Sequence, residues 1–314
     1  MKMSQPLRVD YPNGMSSFVT RRIRNSQLVF VNNQSLEDRV LGALGKYLQK
    51  FEAKIYAYTI FGSHDHPMIE FKPGSKSNFF RDFGARTAEA IKKYVAGFGT
   101  GAAFERRPSE QAITADKESH LDRLMYTVLQ PIAAGRCKNL SDYPGFNSFK
   151  YILSGKPLIT MFFNGSAFCK AKKKDKDADP KLFMETYPIF FVRLPGFEDL
   201  SQKEYRRMLL KEYDKRRSEI IKKFDEEGHQ WPSVESLRKT KSTSVAKNPK
   251  RSKRNSKRPL VLSLCMQAKQ SFLEWYFDKL EKYKKASRAY LLGDSTALFP
   301  EGTCKPPGPL VLAC

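Results

Sequence analysis

Two of the four histidines in the 314-residue chain stand close together, in the triplet His64, Asp65, His66. If this segment is a β-strand, both imidazoles point to one face and lie about 6.5–7 Å apart along the chain. Two imidazoles on one face can bind one divalent metal ion, and Asp65 would then point to the opposite face. Because such a triplet is a weak signal on its own, the alternative is two half-exposed histidines that bind no metal.

Tyr126 and Gln130 are four residues apart in a segment with helical periodicity, so both lie on one face of a helix. The amide oxygen of Gln130 suits a hard cation such as Mg²⁺ or Mn²⁺. Tyr126 would hold its phenolic oxygen beside that ion. The alternative is a core tyrosine and a surface glutamine that share no role.

These side chains together suggest one chemistry. Ligands from His64, His66 and Gln130 would leave positions on an octahedral ion open to a phosphate oxygen, which the metal would polarise as a Lewis acid. Tyrosine can act as a covalent nucleophile. Attack by Tyr126 on phosphorus would cleave a DNA strand and conserve the bond energy in a 5′-phosphotyrosine link, so rejoining would need no external energy source.

The charge of the chain indicates a nucleic-acid partner. Lys and Arg number 56 against 33 Asp and Glu, for a net charge of +23, and the second half is the more basic part. Such a charge repels itself unless an anion offsets it, and nucleic acid is the commonest such anion. The extreme is 239–258, with nine basic side chains and no acidic one in twenty residues. This run predicts either an arm that binds phosphate or a solvated linker.

Several classes of protein are excluded or disfavoured. No apolar run reaches the length of a membrane span, and the first residues have no apolar core of a secretory signal, so we expect a protein of the reducing cytoplasm. Neither G-x-G-x-x-G nor G-x-x-x-x-G-K-[ST] occurs in the sequence, which disfavours a Rossmann or P-loop enzyme. A disulfide scaffold or a zinc module is improbable because the cysteines are odd in number and widely spaced, at Cys137, Cys169, Cys265, Cys304 and Cys314.

Periodicity predicts an α+β fold, with a mostly antiparallel sheet and helices on one face. Extended stretches are expected at 15–32, in KIYAYTIF and in HPMIEF, and helices at 35–52, 76–97, 118–134, 198–227 and 265–290. The expected divisions are an N-terminal tail (1–13), a catalytic domain (14–165), a charged helical extension (166–238), a basic linker (239–258), and a C-terminal helix with a Pro/Gly-rich tail (259–314).

The region 14–165 resembles the single-tyrosine HUH transposases of small bacterial insertion sequences, in the branch of the REP-associated tyrosine transposases. The similar segments are SSFVTRRIRNSQLVF, AYTIFGSHDHPMIEF, GTGAAFERRPSEQAI and HLDRLMYTVLQPIAAGRCKNLSDYPGFNSFKYILSG. The chain departs from that family at Asp65, where a hydrophobic residue is usual. It also has Gly62 and Ser63 in place of Pro-Asn, and Gln130 in place of Asn.

The resemblance implies a ferredoxin-like domain in which His64, His66 and Gln130 bind Mg²⁺ or Mn²⁺ and Tyr126 is the nucleophile. It implies a DNA transposase in the bacterial cytoplasm, associated with the nucleoid, that cleaves and rejoins single-stranded or hairpin DNA. The alternative is a non-catalytic DNA-binding protein, either domesticated or inactive, that acts as a binder or repressor. A covalent protein–DNA adduct would separate the two. Whether the protein works as a monomer or a homodimer stays open.

Overall fold

The computed structural model describes residues 6–105, 108–246 and 259–307. Most of the predicted basic linker and the end of the predicted C-terminal tail therefore lie outside the described residues. The strands are β1 (Ser16–Arg22), β2 (Lys54–Phe61), β3 (His64–Glu70), β4 (Ser109–Ile113), β5 (Leu158–Phe163), β6 (Met184–Ile189) and β7 (Val261–Leu262). The helices are α1 (Gln34–Lys50), α2 (Lys76–Tyr94), α3 (Lys117–Ala133), α4 (Phe149–Ser154), α5 (Gly165–Lys174), α6 (Gln202–Glu226), α7 (Val234–Lys239) and α8 (Met266–Leu291).

Five strands form the main sheet, in the order β2-β3-β1-β4-β7. The first four pair antiparallel, and β7 adds to β4 in the parallel direction. The predicted α+β class with a mainly antiparallel sheet is therefore confirmed. Within the described residues, no helix is long and apolar enough to cross a membrane.

Gly62 and Ser63 connect β2 to β3 as a tight hairpin, with Phe61 directly opposite His64. The main chain passes close to its neighbours here, since a Cβ on Gly62 would lie 2.9 Å from Val31 Cγ2. A side chain larger than hydrogen would force the turn away from this contact. The short turn fixes the pairing register, and with it the face on which each residue of β3 lies.

Helices cover both faces of the sheet, and the expectation of helices on one face was wrong. On one face α1 and α2 pack over residues that include Tyr58 and Ile69. On the other face α3, with α6 packed against it, covers residues that include Phe18 and Met68. The physical reason lies in β2, where apolar residues occupy consecutive positions, so each face of the strand needs a cover.

Two local expectations also need correction. The segment 27–32 was expected to be extended, but it is a turn with one bridge, between Gln27 and Val245. Val29 and Phe30 are buried there without strand pairing. The first helix was expected to begin at residue 35, but it begins one residue earlier, at Gln34. The preceding Asn33 is the cap, because its side chain accepts a hydrogen bond from the Leu36 main chain.

Residues beyond 165 share cores with the predicted catalytic domain. Tyr205 and Leu209 of α6 are buried against α3. The hairpin of β5 and β6 lies on α1 at very short range, because a Cβ on Gly42 would sit 2.1 Å from the Met161 carbonyl oxygen. The boundary at 165 stays a prediction, but the structure joins the segments on both sides of it.

Candidate active site

His64 and His66 lie on β3, which runs between β2 and β1 inside the sheet. Both side chains point to the face covered by α3, and their ring centroids are 4.7 Å apart with the ring planes nearly perpendicular. The strand alternation that the sequence predicted places them together, with Asp65 on the other face. The two imidazoles can therefore act on the same ligand.

His66 is packed tightly against β1. Its ring stacks on Phe18 at 5.3 Å between centroids, and its Nδ1 lies 3.1 Å from the Thr20 hydroxyl oxygen. Its Nε2 is buried and has no hydrogen-bond partner among the described residues. If Nδ1 donates its proton to Thr20, the lone pair of Nε2 is free to bind a metal ion.

Both histidines are held in the neutral form, which is the form that binds metal. Burial lowers the pKa of His66 well below its usual range, and the neighbouring His64 and Arg22 lower it further. Burial, together with the positive charge of Arg22, lowers the pKa of His64 to about 4. The unpartnered Nε2 and the two neutral rings fit a divalent cation.

Tyr126 projects from α3 beside this pair. Its ring centroid is 6.5 Å from that of His66 and 5.5 Å from that of Phe18. The side chain is 44% exposed, although its neighbours Met125 and Thr127 are fully buried. A phenol that is exposed on a buried scaffold is accessible to a nucleic-acid strand.

The sheet holds α3 in place at the level of the tyrosine. Thr59 on β2 is the cross-strand partner of His66, and its hydroxyl donates to the main-chain carbonyl of Thr127 at 2.9 Å. Asn147 donates both to the Thr59 hydroxyl and to the Val128 carbonyl. At the start of the helix, the Asp116 side chain caps the main chain of Ser119. These bonds fix the distance between the histidine strand and the tyrosine helix.

Gln130 lies one turn after Tyr126 on α3, with its side chain half-buried. Within the described part of the chain, no hydrogen bond joins the Gln130 side chain to His64 or His66. Its role as a third ligand therefore stays a prediction. Helix α3 continues through Pro131 to Ala133, one residue before the expected end at 134.

Asp65 is part of a buried network on the opposite face, which the sequence did not predict. Arg21, its cross-strand partner, donates to both carboxylate oxygens, one of them through Nε at 2.9 Å. The Tyr58 hydroxyl donates to the same carboxylate at 2.8 Å. The Arg21 guanidinium also lies 3.9 Å from the centre of the Phe83 ring on α2. The acid between the histidines is thus a paired core residue.

Two arginines that the sequence interpretation passed over lie beside the site. Arg22 is the cross-strand partner of His64. The Arg123 guanidinium lies 4.4 Å from the centre of the Tyr126 ring. The described residues contain four buried side-chain nitrogen atoms without a hydrogen-bond partner, and three of them belong to Arg22, His66 and Arg123. A useful signal was available, since Arg22 follows Thr20 by two residues and so shares its face of β1.

Comparisons with known proteins show a distant likeness to solved structures. No family model matches the sequence, and no curated protein matches it. The chain is similar to a solved structure of a REP-associated tyrosine transposase bound to a REP hairpin, with 22% sequence identity and a TM-score of 0.39. The match covers 48% of this chain and 86% of that chain. At this level of similarity, the assignment of the site rests on the geometry described above.

Proposed function

We propose that the protein is a DNA strand transferase of the transposase type. It would cleave and rejoin single-stranded or hairpin DNA through a covalent 5′-phosphotyrosine on Tyr126. The observation that carries this proposal is the exposed Tyr126 phenol, which lies beside the paired imidazoles of His64 and His66 on a central strand. The net charge of +23 suits an anionic polymer as the partner.

The nucleophile reacts by exchange of one phosphate ester for another. The Tyr126 oxygen loses its proton and forms a bond to phosphorus, while the bond from phosphorus to the 3′ oxygen breaks. The released 3′ oxygen takes up a proton and leaves as a hydroxyl. Attack by a 3′-hydroxyl on the phosphotyrosine reverses the exchange and frees Tyr126 for another cycle.

His64 and His66, with Gln130 as a third candidate, are the residues that would hold Mg²⁺ or Mn²⁺. When bound, the metal supplies Lewis-acid polarisation of the phosphate. Thr20 orients the His66 ring through Nδ1, so that Nε2 faces the site. The stacked Phe18 keeps that ring from turning and excludes water from its inner side.

The test is the formation of a covalent adduct. The protein is incubated with end-labelled hairpin DNA that carries single-stranded flanks from the DNA beside its own gene, and with Mn²⁺ or Mg²⁺. A denaturing gel should show a labelled protein band that EDTA abolishes. The matched control is Tyr290→Phe on α8, which should form the adduct as the parent protein does.

A different outcome would identify the alternative function. If the protein binds the hairpin but forms no adduct with either metal, the transferase proposal fails. The fold would then serve a non-catalytic DNA-binding protein, and the exposed tyrosine would have no covalent role.

A further inference from the structure

The proposal concerns the two arginines that flank the histidine pair. We infer that Arg22 and Arg123 together bind one phosphodiester group of the DNA, the group that Tyr126 attacks. This inference rests on the proposed function, because it assigns the substrate contacts of the same site. It adds a binding role for two side chains that neither the motifs nor the metal ligands require.

The positions of the two arginines define the site from two sides. Arg22 extends from β1 on the face that also carries Phe18 and Thr20, directly across from His64. Arg123 extends from α3, one helical turn before Tyr126, with its guanidinium 5.0 Å from the centre of the Phe18 ring. One cation therefore comes from the sheet and the other from the helix.

Neither arginine has a full set of partners inside the protein. The Nε of each is buried without a hydrogen-bond acceptor, and among the described residues Arg22 forms no ion pair. In the described part of the chain, the one carboxylate that pairs with Arg123 is that of the adjacent Asp122, at a long 3.7 Å. That carboxylate already pairs with Arg216 at 2.7 Å. Buried donors without acceptors are costly to a fold, and they are retained where a ligand supplies the acceptor.

The neighbouring Arg21, unlike Arg22, has its charge and its hydrogen-bond donors paired inside the protein. Arg21 precedes Arg22 on the same strand, and its charge is fully paired with Asp65. Arg22 points to the opposite face, directly across from His64. The two neighbouring arginines thus differ in role, the first being part of the core and the second facing the site.

A phosphodiester is the ligand that these donors fit. Its two non-bridging oxygens share one negative charge, and a guanidinium can donate two parallel hydrogen bonds to such a group. Arg123 lies over the ring that carries the nucleophile, so a phosphorus atom within reach of the Tyr126 oxygen is also within reach of this guanidinium. Fixed cations at that point stabilise the charge that develops during phosphoryl exchange.

The binding test uses a charge removed from the DNA and a charge removed from the protein. The protein carries Tyr126→Phe so that the DNA stays intact, and a neutral methylphosphonate replaces each phosphate in turn along the hairpin flank. At one position of the flank, the methylphosphonate should weaken DNA binding by about tenfold. At that position the penalty should vanish in Arg22→Gln and Arg123→Gln, and it should persist in the control Arg86→Gln, a half-exposed arginine on α2.

A rate measurement gives a second readout. On unmodified DNA, Arg22→Gln and Arg123→Gln should each slow adduct formation by about 100-fold, while the protein keeps its melting temperature. Lysine at either position should restore part of the rate, since it keeps the charge but not the paired donors. With a methylphosphonate at the cleaved position, the difference between parent and glutamine variants should shrink to a few-fold.

The outcomes separate this inference from the proposed function. If the parent forms no adduct but the methylphosphonate penalty depends on both arginines, the phosphate site stands and the transferase proposal fails. If the glutamine variants lose the same factor on charged and neutral DNA, the arginines only support the structure and the inference is overturned. A penalty that Arg86→Gln removes equally would also overturn it.

Discussion

The guanidinium of Arg21 and the carboxylate of Asp65 form a two-point ion pair that is buried on the face of the sheet away from the histidines. The pair joins β1 to β3 at the residue between His64 and His66. Its geometry is satisfied only in one register of these strands. A slip by one residue would move both histidines to the opposite face and break the pair.

Removal of one partner of this pair should destabilise the protein strongly. Asp65→Ala leaves the Arg21 charge buried and unpaired, and should lower the free energy of unfolding by about 3–5 kcal/mol. The double variant Arg21→Met, Asp65→Leu should recover most of that loss, because it leaves no buried charge. Urea denaturation measures both, and equal stability of the single and double variants would contradict a role for the charge.

Tyr126→Phe should abolish the covalent adduct and leave DNA affinity within about twofold. The phenylalanine keeps the ring contacts with Phe18 and Arg123 but has no oxygen to attack phosphorus. Because the hydroxyl is exposed, the free energy of unfolding should change by less than about 0.5 kcal/mol. An adduct of normal yield in this variant would remove Tyr126 from the mechanism.

The two histidines should behave as one unit. His64→Ala and His66→Ala should each reduce cleavage to a similar extent, and the double variant should be little worse, since effects within one unit are not additive. Titration of cleavage with Mn²⁺ should show that either variant needs a much higher metal concentration. Nearly full activity in one single variant would show that the two rings do not share an ion.

Glu37 should give the protein a stability that falls as the pH rises. Burial raises the pKa of this carboxyl on α1 to about 7. The folded state therefore holds a proton that the unfolded state releases near pH 4.5. The stabilisation is complete below that value and is lost between about pH 4.5 and 7, by up to about 1.4 kcal/mol per pH unit.

Glu37→Gln tests this dependence, because an amide resembles the protonated acid at every pH. The variant should match the parent near pH 4.5 and be more stable at pH 8, by urea denaturation at both values. Exposed Glu89→Gln on α2 is the control and should leave the pH profile of the parent unchanged. The prediction is contradicted if the stability of the parent protein and that of Glu37→Gln change with pH in the same way between pH 4.5 and 8.

The predicted basic linker (239–258) should increase the affinity for DNA without adding a sequence preference. The residues on both sides of 247–258 are hydrogen-bonded to the rest of the protein. Before it, the Ser244 carbonyl accepts from the Leu28 main chain, and after it, the Leu260 carbonyl accepts from the Ala112 main chain. Substitution is therefore a cleaner test than deletion. The variant has all seven Lys and Arg of 247–258 replaced by Gln. In the parent protein, about half of these side chains are expected to contact phosphate at once. The slope of log affinity against log salt should therefore flatten by about 3.

The same change should weaken the binding of hairpin and random strands about equally, because phosphate contacts carry no sequence information directly. At saturating protein, cleavage should persist. An unchanged salt slope would show that the run is a linker that does not contact DNA.

The sequence predicted the elements that depend on local periodicity, and it missed those that depend on distant partners. The stripes of α1, α2 and α3 and the alternation around His64 and His66 are local patterns, and they predicted the helices and the shared face correctly. The partner of Asp65 lies 44 residues away on β1, so local sequence does not indicate the buried ion pair. The role of Gln130 as a third ligand stays a prediction.

The hairpin of β5 and β6 and the short β7 were also missed. Val261 and Leu262 form only two residues of strand, and they are a strand only because β4 offers free main-chain groups beside them. A two-residue segment has no periodicity that could be recognised. The cover on both sheet faces was missed, although the consecutive apolar residues of β2 are typical of a strand that is buried on both faces.

The pairing of β7 with β4 has a consequence for association between copies of the chain. At the opposite side of the sheet, the Val192 main chain donates to the Ile55 carbonyl of β2, and Phe191 forms a bridge there. Both outer strands are thus partly covered by segments that come after residue 165. Exposed strand edges promote aggregation, and a very short outer strand beside Pro259 is a poor template for another chain. The later part of the sequence therefore also protects the sheet from uncontrolled growth.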